Sequence, residues 1–324
     1  MKAWTWNRYG PPDVLTLRDV AEPAIARDEV LVRVRAASVN PYDWRHLRGD
    51  PFLARLHAGL RRPRKGLLGA DLAGVVERVG ADVATLRPGD EVFGEVPFGS
   101  FADAVAASPE KLAVKPANVT FEQAAAVSMA GHTALQALRD AGRLSAGQRV
   151  LINGASGGIG TFAVQLAKVL GAEVTAVCST RNADLVRSIG ADDVVDYTRE
   201  DFTTRAARYD LLVDIVGNRS LRDLRRPLKP QGTLALVGGL VGGGRLLGPA
   251  AQLLRGALVS RFVSQRIVTV SWKPNAEDLR YLAGLMETGR LTPVIDRTYP
   301  FVEVPDALRR LETRHAQGKI VVSG

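Results

Sequence analysis

A single cysteine, Cys178, leaves this chain of 324 residues no partner for an internal disulfide and no means of building a multi-cysteine zinc site. The four histidines, His46, His57, His132 and His315, are dispersed and show no ligand spacing. No stretch approaches the roughly 20 uninterrupted apolar residues of a membrane span. The N-terminus, MKAWTWNRYGPPDV, has no apolar core followed by a small-residue cleavage site, so a cytoplasmic protein is expected. Internal repeats and low-complexity segments are absent. Acidic residues number 34 against 43 basic ones, giving a net charge of +9. The basic residues are mostly arginines scattered along the chain. Their one dense cluster, Arg61, Arg62, Arg64 and Lys65, sits beside prolines without interleaved aromatics. That is the pattern of a solvated loop, so neither a nucleic-acid nor a membrane partner is expected.

What the chain does have is ordinary globular material, 46% hydrophobic and 24% charged, enough for two domains or one large α/β body. Its centre of organisation is Val150 to Gly171, VLINGASGGIGTFAVQLAKVLG. A short apolar run ends at Asn153 and enters a turn holding Gly154, Gly157, Gly158 and Gly160. Apolar residues then recur at helical spacing: Ile159, Phe162, Ala163, Leu166, Val169 and Leu170. Strand, glycine turn and amphipathic helix open a dinucleotide-binding βαβ unit, in which backbone N–H groups at the helix start hold the pyrophosphate. Gly-rich turns also join strands to helices with no ligand, so the flanks have to decide.

They alternate. After the turn, strand Glu173 to Cys178 leads to helix Asn182 to Ile189, strand Asp193 to Asp196 and helix Arg199 to Ala207. Strand Leu211 to Val216, helix Arg219 to Arg226 and strand Thr233 to Val237 follow. A helix around Pro249 to Arg261, strand Ile267 to Val270 and helix Ala276 to Glu287 complete six strands. Short continuous apolar strands between helices mean a parallel sheet covered on both faces, a doubly wound Rossmann fold. Before it, the chain is strand-rich: Val30 to Ala36, Leu72 to Val79, and a turn and strand over Leu86 to Gly94 suggest a barrel-like antiparallel body. Phe52 to Leu60 reads as a short helix inside a long loop. Thr120 with Gln123 forms a capping box, and Ala124 to Ala141 reads as one or two helices interrupted near Gly131. The tail, with strand Val294 to Tyr299, helix Pro305 to His315 and strand Lys319 to Val322, is expected to return to the N-terminal body.

The end of the second Rossmann strand bears on the cofactor. A site for NAD usually has an acid there for the ribose 2′-hydroxyl, about 20 residues after the glycines. Here the strand ends Cys178-Ser179-Thr180-Arg181-Asn182, with no acid before Asp184. Ser179 and Arg181 suit a 2′-phosphate, so NADPH is favoured over NADH; a helix cap with a stray arginine is the plainer alternative.

These residues resemble the medium-chain dehydrogenase/reductase superfamily, in its zinc-independent quinone oxidoreductase-like and NADPH-dependent enone (alkenal) reductase branch. The resemblance rests on Ser38-Val39-Asn40-Pro41-Tyr42-Asp43, Gly69-Ala70-Asp71-Leu72-Ala73-Gly74, Pro88-Gly89-Asp90, Gly131-His132-Thr133-Ala134, Gly190-Ala191-Asp192 and Gly318-Lys319-Ile320-Val321. It implies a GroES-like β-rich catalytic domain over residues 1–119 and 293–324 and a Rossmann NADP(H)-binding domain over 120–292. It also implies no zinc, since zinc alcohol dehydrogenases carry Cys where this chain has Asn40 and His-Glu where it has Ala70-Asp71. Family members are often dimers, so a homodimer is expected.

By the same resemblance, Asn40 and Asp43 are candidate catalytic residues, and Tyr42, beside Asp43, joins them as a candidate proton donor. Candidate cofactor-binding residues are Asn40, Thr133, the turn (Gly154, Ser156, Gly157, Gly158, Ile159 and Gly160), Ser179, Arg181, Tyr197, Val216, Val237, Gly238 and Lys319. Single positions also have plain readings: Asn40-Pro41 fits a turn, and Asp43 and Thr133 fit helix caps. Where related quinone oxidoreductases commonly have a substrate-facing tyrosine, this chain has Arg45, so the proton donor stays open among Tyr42, Arg45, His46 and water. The implied reaction is hydride transfer from NADPH to a quinone or to the C=C of an enone or enal. A zinc-free alcohol or ketone reductase and a non-catalytic dinucleotide sensor are the rivals.

Overall fold

Ten residues of unbroken strand, β3 (Val30–Val39), form the spine of the N-terminal part of the chain in this computed structural model, which describes residues 1–50, 52, 55, 59–63, 66–206, 208–237 and 264–324. Before β3 lie β1 (Lys2–Thr5) and β2 (Thr16–Asp19), an antiparallel pair. After it come α1 (Pro41–Arg48), β4 (Asp71–Val79), β5 (Glu91–Glu95), β6 (Ala104–Ala107), β7 (Leu112–Val114), α2 (Phe121–Ala125) and α3 (Ser128–Gln136). The alternating stretch is β8 (Arg149–Asn153), α4 (Gly158–Val169), β9 (Glu173–Cys178), α5 (Ala183–Ser188), β10 (Asp193–Asp196), β11 (Tyr209–Asp214), α6 (Leu221–Arg225), β12 (Leu228–Leu236) and β13 (Arg266–Thr269). The chain closes with α7 (Ala276–Glu287), β14 (Ile295–Pro300), α8 (Val304–Glu312) and β15 (Lys319–Ser323).

Two compact units result, Met1–His132 with Pro274–Gly324, and Thr133–Lys273. The boundaries expected from sequence, 120 and 292, give α2 and α7 to the Rossmann stretch. In the structure α2 lies on β3 and β4, and α7 on β7, so both belong with the β-rich unit. That unit holds a seven-stranded sheet in the order β14-β15-β3-β4-β5-β7, with β6 on β3. Pairing is antiparallel except between β14 and β15. Register shifts between Leu31 and Val32 and between Val34 and Ala36 break the β3–β4 ladder, the kind of bulge that bends a sheet. Trp4, Leu47, Leu68, Phe101, Leu308 and Val322 pack one of its cores.

The second unit is a parallel six-stranded sheet in the order β10-β9-β8-β11-β12-β13. The strand order reverses between β8 and β11, the point at which an open α/β sheet offers a crevice beyond its strand ends. Leu151, Val177, Phe202, Tyr209 and Leu212 fill its core.

Several elements differ from expectation. The break between α2 and α3 falls at residues 126–127, and α3 runs on through Gly131, whose missing Cβ leaves room for Leu282 and Val127. No helix forms over the described part of 199–207 beyond one turn, Phe202–Thr204. There Asp201 Oδ1 accepts from the Thr203 N–H and hydroxyl, and Thr204 donates to the Asp201 carbonyl, local bonds that compete with a helix. β11 begins at Tyr209 and ends at Asp214, two residues earlier than expected. The expected helices at Phe52 to Leu60 and at Pro249 to Arg261 lie largely or wholly outside the described residues, as do His57, Arg64, Lys65 and Gly238. No helix among the described residues is long and apolar enough to cross a membrane.

Candidate functional site

In the second unit, the glycine turn stands at the reversal of strand order. Gly154 has φ +92°, a conformation that suits glycine, and a Cβ there would also meet Val216 Cγ2 at 2.7 Å. A Cβ on Gly160 would meet the Gly154 carbonyl oxygen at 2.1 Å, so the helix start and the turn need that position bare. Gly157 is different: its Cβ would have nothing nearer than 3.6 Å. It is the N-cap of α4 and has no side chain to cap the helix, so the first N–H groups and the positive end of the dipole face outward. A bare surface beside uncapped N–H groups is what a pyrophosphate requires, and these residues fit a dinucleotide.

Side chains tie the strand ends below the turn together. Asn153 Nδ2 donates to Asp214 Oδ1 at 2.8 Å and to Asn218 Oδ1 at 3.1 Å, linking β8 to β11. Asp214 also accepts the Gly217 N–H, and burial raises its pKa. Ser156 accepts from Asn182 Nδ2 at 2.7 Å, which couples the turn to the end of β9. At that end Ser179 is half-buried and Arg181 exposed. The Thr180 hydroxyl donates to Asp196, whose carboxylate also accepts from Thr198; these bonds lower its pKa. Tyr197 is exposed, with its N–H bonded to the Cys178 carbonyl. Val216 and Val237 follow β11 and β12, and Val237 donates its N–H to the Asp214 carbonyl. Thr133 is buried within α3.

A second cluster belongs to the β-rich unit. Registers Ser38↔Asp71 and Ile320↔Val39 bring the end of β3, the start of β4 and the start of β15 side by side. Asp71 Oδ2 accepts from Ser38 Oγ at 2.8 Å, Asn40 Nδ2 at 2.9 Å and Lys319 Nζ at 3.3 Å, while Oδ1 accepts from Met129 N at 3.1 Å. Lys319 Nζ also donates to Asn40 Oδ1 at 2.6 Å. All these side chains are within a few per cent of full burial; Asp71 is at 0% and Lys319 at 3%.

Asp43 closes the first turn of α1: its Oδ2 accepts the Asn40 N–H at 2.7 Å. Burial, with the Asp71 charge adding to it, pushes its pKa up to about 8, against the opposing pull of the Asn40 N–H and the Lys319 ammonium. The Tyr42 ring lies tilted against that of His46, 4.1 Å between ring centroids, with Phe98 edge-on to His46. Its hydroxyl donates to the Pro97 carbonyl, and burial first, then the Asp43 and Glu95 charges, push its pKa up to about 12. Burial lowers the His46 pKa, and its Nδ1–H donates to the Tyr42 carbonyl.

The structure therefore brings Asn40, Asp43 and Lys319 together in one unit and sets the turn, Ser179, Val216 and Val237 just beyond the C-terminal ends of adjacent strands in the other. Ser38, Asp71, Asn153, Asn182 and Asp214 are additions that sequence reasoning missed. The signal for Asp71 was its place opposite Ser38 across two strands, which only the register reveals.

Comparisons with known proteins identify relatives of this chain. The alcohol dehydrogenase GroES-like domain family matches residues 26–117, and the zinc-binding dehydrogenase family matches residues 189–322. The 2-methylene-furan-3-one reductase of Solanum lycopersicum is 37% identical over 99% of this chain and 79% of its own length. An NADPH-dependent alkenal/one oxidoreductase, chloroplastic, from Arabidopsis thaliana is 36% identical over the same shares. The solved quinone oxidoreductase of Coxiella burnetii superposes with a TM-score of 0.86 at 34% identity, covering 100% of this chain and 99% of that one.

Proposed function

The chain belongs to the medium-chain dehydrogenase/reductase superfamily, and from that premise we propose that it is an NADPH-dependent, zinc-free reductase of quinones or of the activated C=C of enones and enals. The observation that carries the proposal is the bare, uncapped glycine turn at the strand-order reversal, beside a second strand that ends in Ser179 and Arg181 with no acid. Relatives named for alkenal/one and furanone reduction support the acceptor class.

NADPH, when bound, supplies the hydride. The chain's part is to bind, orient and stabilise charge. The N–H groups of Gly158, Ile159 and Gly160 hold the pyrophosphate, with Ser179 and Arg181 at the 2′-phosphate. In the β-rich unit, Asn40 has little left to donate, because Nδ2 faces Asp71 and the Ser38 carbonyl. Lys319 has three N–H groups and two acceptors, Asn40 and Asp71, so its ammonium is the donor available to an oxygen that gains charge. Tyr42 is a poor proton source with its raised pKa, which shifts the final protonation toward water.

Zinc does not fit these residues. Ala70 has no ligating group, Asn40 Oδ1 is taken by Lys319, and the ammonium 3.3 Å from Asp71 Oδ2 would repel a second cation. A cytoplasmic homodimer acting on a small molecule, with no nucleic-acid partner, completes the proposal. The test is NADPH oxidation by a panel of quinones, enones and ketones. Turnover of quinones or enones with ketones inert is expected; tight NADPH binding with every acceptor inert would overturn the enzyme reading. Arg181→Ala is expected to weaken NADPH about ten- to a hundredfold and to leave NADH unchanged. An equal effect on both would remove Arg181 from the phosphate.

A further inference from the structure

Four donors from four separate segments converge on one carboxylate. Ser38 comes from β3, Asn40 from the cap of α1, Lys319 from β15 and the Met129 N–H from α3, and all point at Asp71. Asp71 and Lys319 form an ion pair that is nearly wholly buried, with Lys319 keeping only 3% of its surface exposed. Such pairs seldom add net stability over apolar residues of the same size, because both charges lose their hydration. What the pair does provide is orientation. The two ends of an amide have the same shape and opposite hydrogen-bonding character. An ammonium, which only donates, lies against one end of Asn40, and a carboxylate, which only accepts, lies against the other. One orientation of the amide satisfies both. Asp43 does not compete as the counter-charge, since its carboxyl remains largely protonated at neutral pH.

We propose that Asp71 is a positioning residue for the reaction: it fixes the Asn40 amide and the Lys319 ammonium so that Lys319 directs its remaining N–H at the acceptor oxygen. The proposal rests on the reductase reading and deepens it. Asp71 touches neither reactant and acts through Lys319. The carboxylate keeps the ammonium from swinging to another acceptor, and Ser38 and the Met129 N–H keep the carboxylate itself from rotating.

The test compares Asp71→Asn, Lys319→Met and the double variant on the full chain, reading kcat, KM for the acceptor, NADPH affinity by fluorescence titration and melting temperature. Asp71→Asn is expected to lower kcat about tenfold or more while NADPH affinity stays within about twofold. Because both residues act through one ammonium, the double variant is expected to be no slower than Lys319→Met alone. In NMR of isotope-labelled lysine, the ordered Lys319 ammonium signal of the free protein is expected to be lost in Asp71→Asn. Should Asp71→Asn fail to fold, Ser38→Ala removes one bond from the same oxygen without creating a buried charge, and a severalfold fall in kcat at unchanged NADPH affinity is expected. An unchanged kcat in the folded variant, or losses that multiply in the double variant, overturns the role of Asp71. An inactive wild type that still binds NADPH overturns the reductase reading, and the Asp71 proposal with it.

Discussion

Replacing Asp43 by asparagine should change how the β-rich unit responds to pH. Asp43 is fully buried, and its pKa of about 8 stands some four units above its ordinary value of 3.8. The folded state therefore keeps a proton that the unfolded chain gives up near pH 4. Stability falls with pH wherever the folded state binds more protons, here from about pH 4 up to about pH 8. Each unit of that interval costs about 1.4 kcal/mol, so between about pH 5 and about pH 7.5 this one carboxyl removes about 3 kcal/mol. The Asp43→Asn amide oxygen can still accept the Asn40 N–H, and it does not titrate. The unfolding free energy of the variant relative to wild type should thus rise by about 3 kcal/mol over the same interval. Three of the four tryptophans, Trp4, Trp6 and Trp44, lie in this unit, so urea unfolding followed by tryptophan fluorescence reports on it directly. If wild type and variant lose stability in parallel, Asp43 titrates like an ordinary carboxyl and the reasoning fails.

Two glycines of the turn should separate folding from binding. Gly160→Ala, whose Cβ meets backbone oxygen at 2.1 Å, is expected to lower the melting temperature; Gly157→Ala, with 3.6 Å to spare, should melt like wild type and bind NADPH at least about tenfold more weakly. Equal effects in both assays would show that the turn is not a cradle. A buried His132 is held between Glu95 at 2.5 Å and the Asn275 carbonyl at 3.0 Å, and although burial opposes its charge, the Glu95 bond and charge raise its pKa overall. Its stabilisation is present at low pH and is lost as pH rises through that raised pKa. His132→Leu, by taking the imidazole away from the buried Glu95 carboxylate, should cost about 3–5 kcal/mol, and the added change Glu95→Leu should recover part of it; a double variant that melts no higher than the single one would refute the pairing.

Much of the fold was legible because periodicity and glycine placement act locally. Helix Ala276–Glu287 and strands Glu173–Cys178 and Asp193–Asp196 occupy the expected residues. Local reading failed where side chains compete with the backbone, as at Asp201 to Thr204, and where a small residue serves packing, as at Gly131. It failed again for α2 and α7, whose partners are strands distant in sequence. In the candidate site, Asn40, Asp43 and Lys319 were visible through the family resemblance. Asp71 was visible only as the occupant of a zinc enzyme's position, because its partners are set by register between strands that the sequence cannot pair unaided. The bonds of Asn153 and Asn182 belong to the same class: each joins the ends of two elements, and each residue read alone is a turn asparagine.

The 279 residues between Asn40 and Lys319 have a consequence for synthesis. At about 5–20 residues per second, a ribosome needs about 15–55 s to travel from one to the other. Through that interval the Ala36–Val39 end of β3 lacks the strand that will deliver the ammonium, while β6 already covers Val30–Arg33 on the same edge. The nascent chain must therefore carry a partly open sheet edge, and an Asp71 carboxylate without its ammonium, while the second unit is made, so this enzyme's exposure to aggregation is greatest just before its last strand emerges.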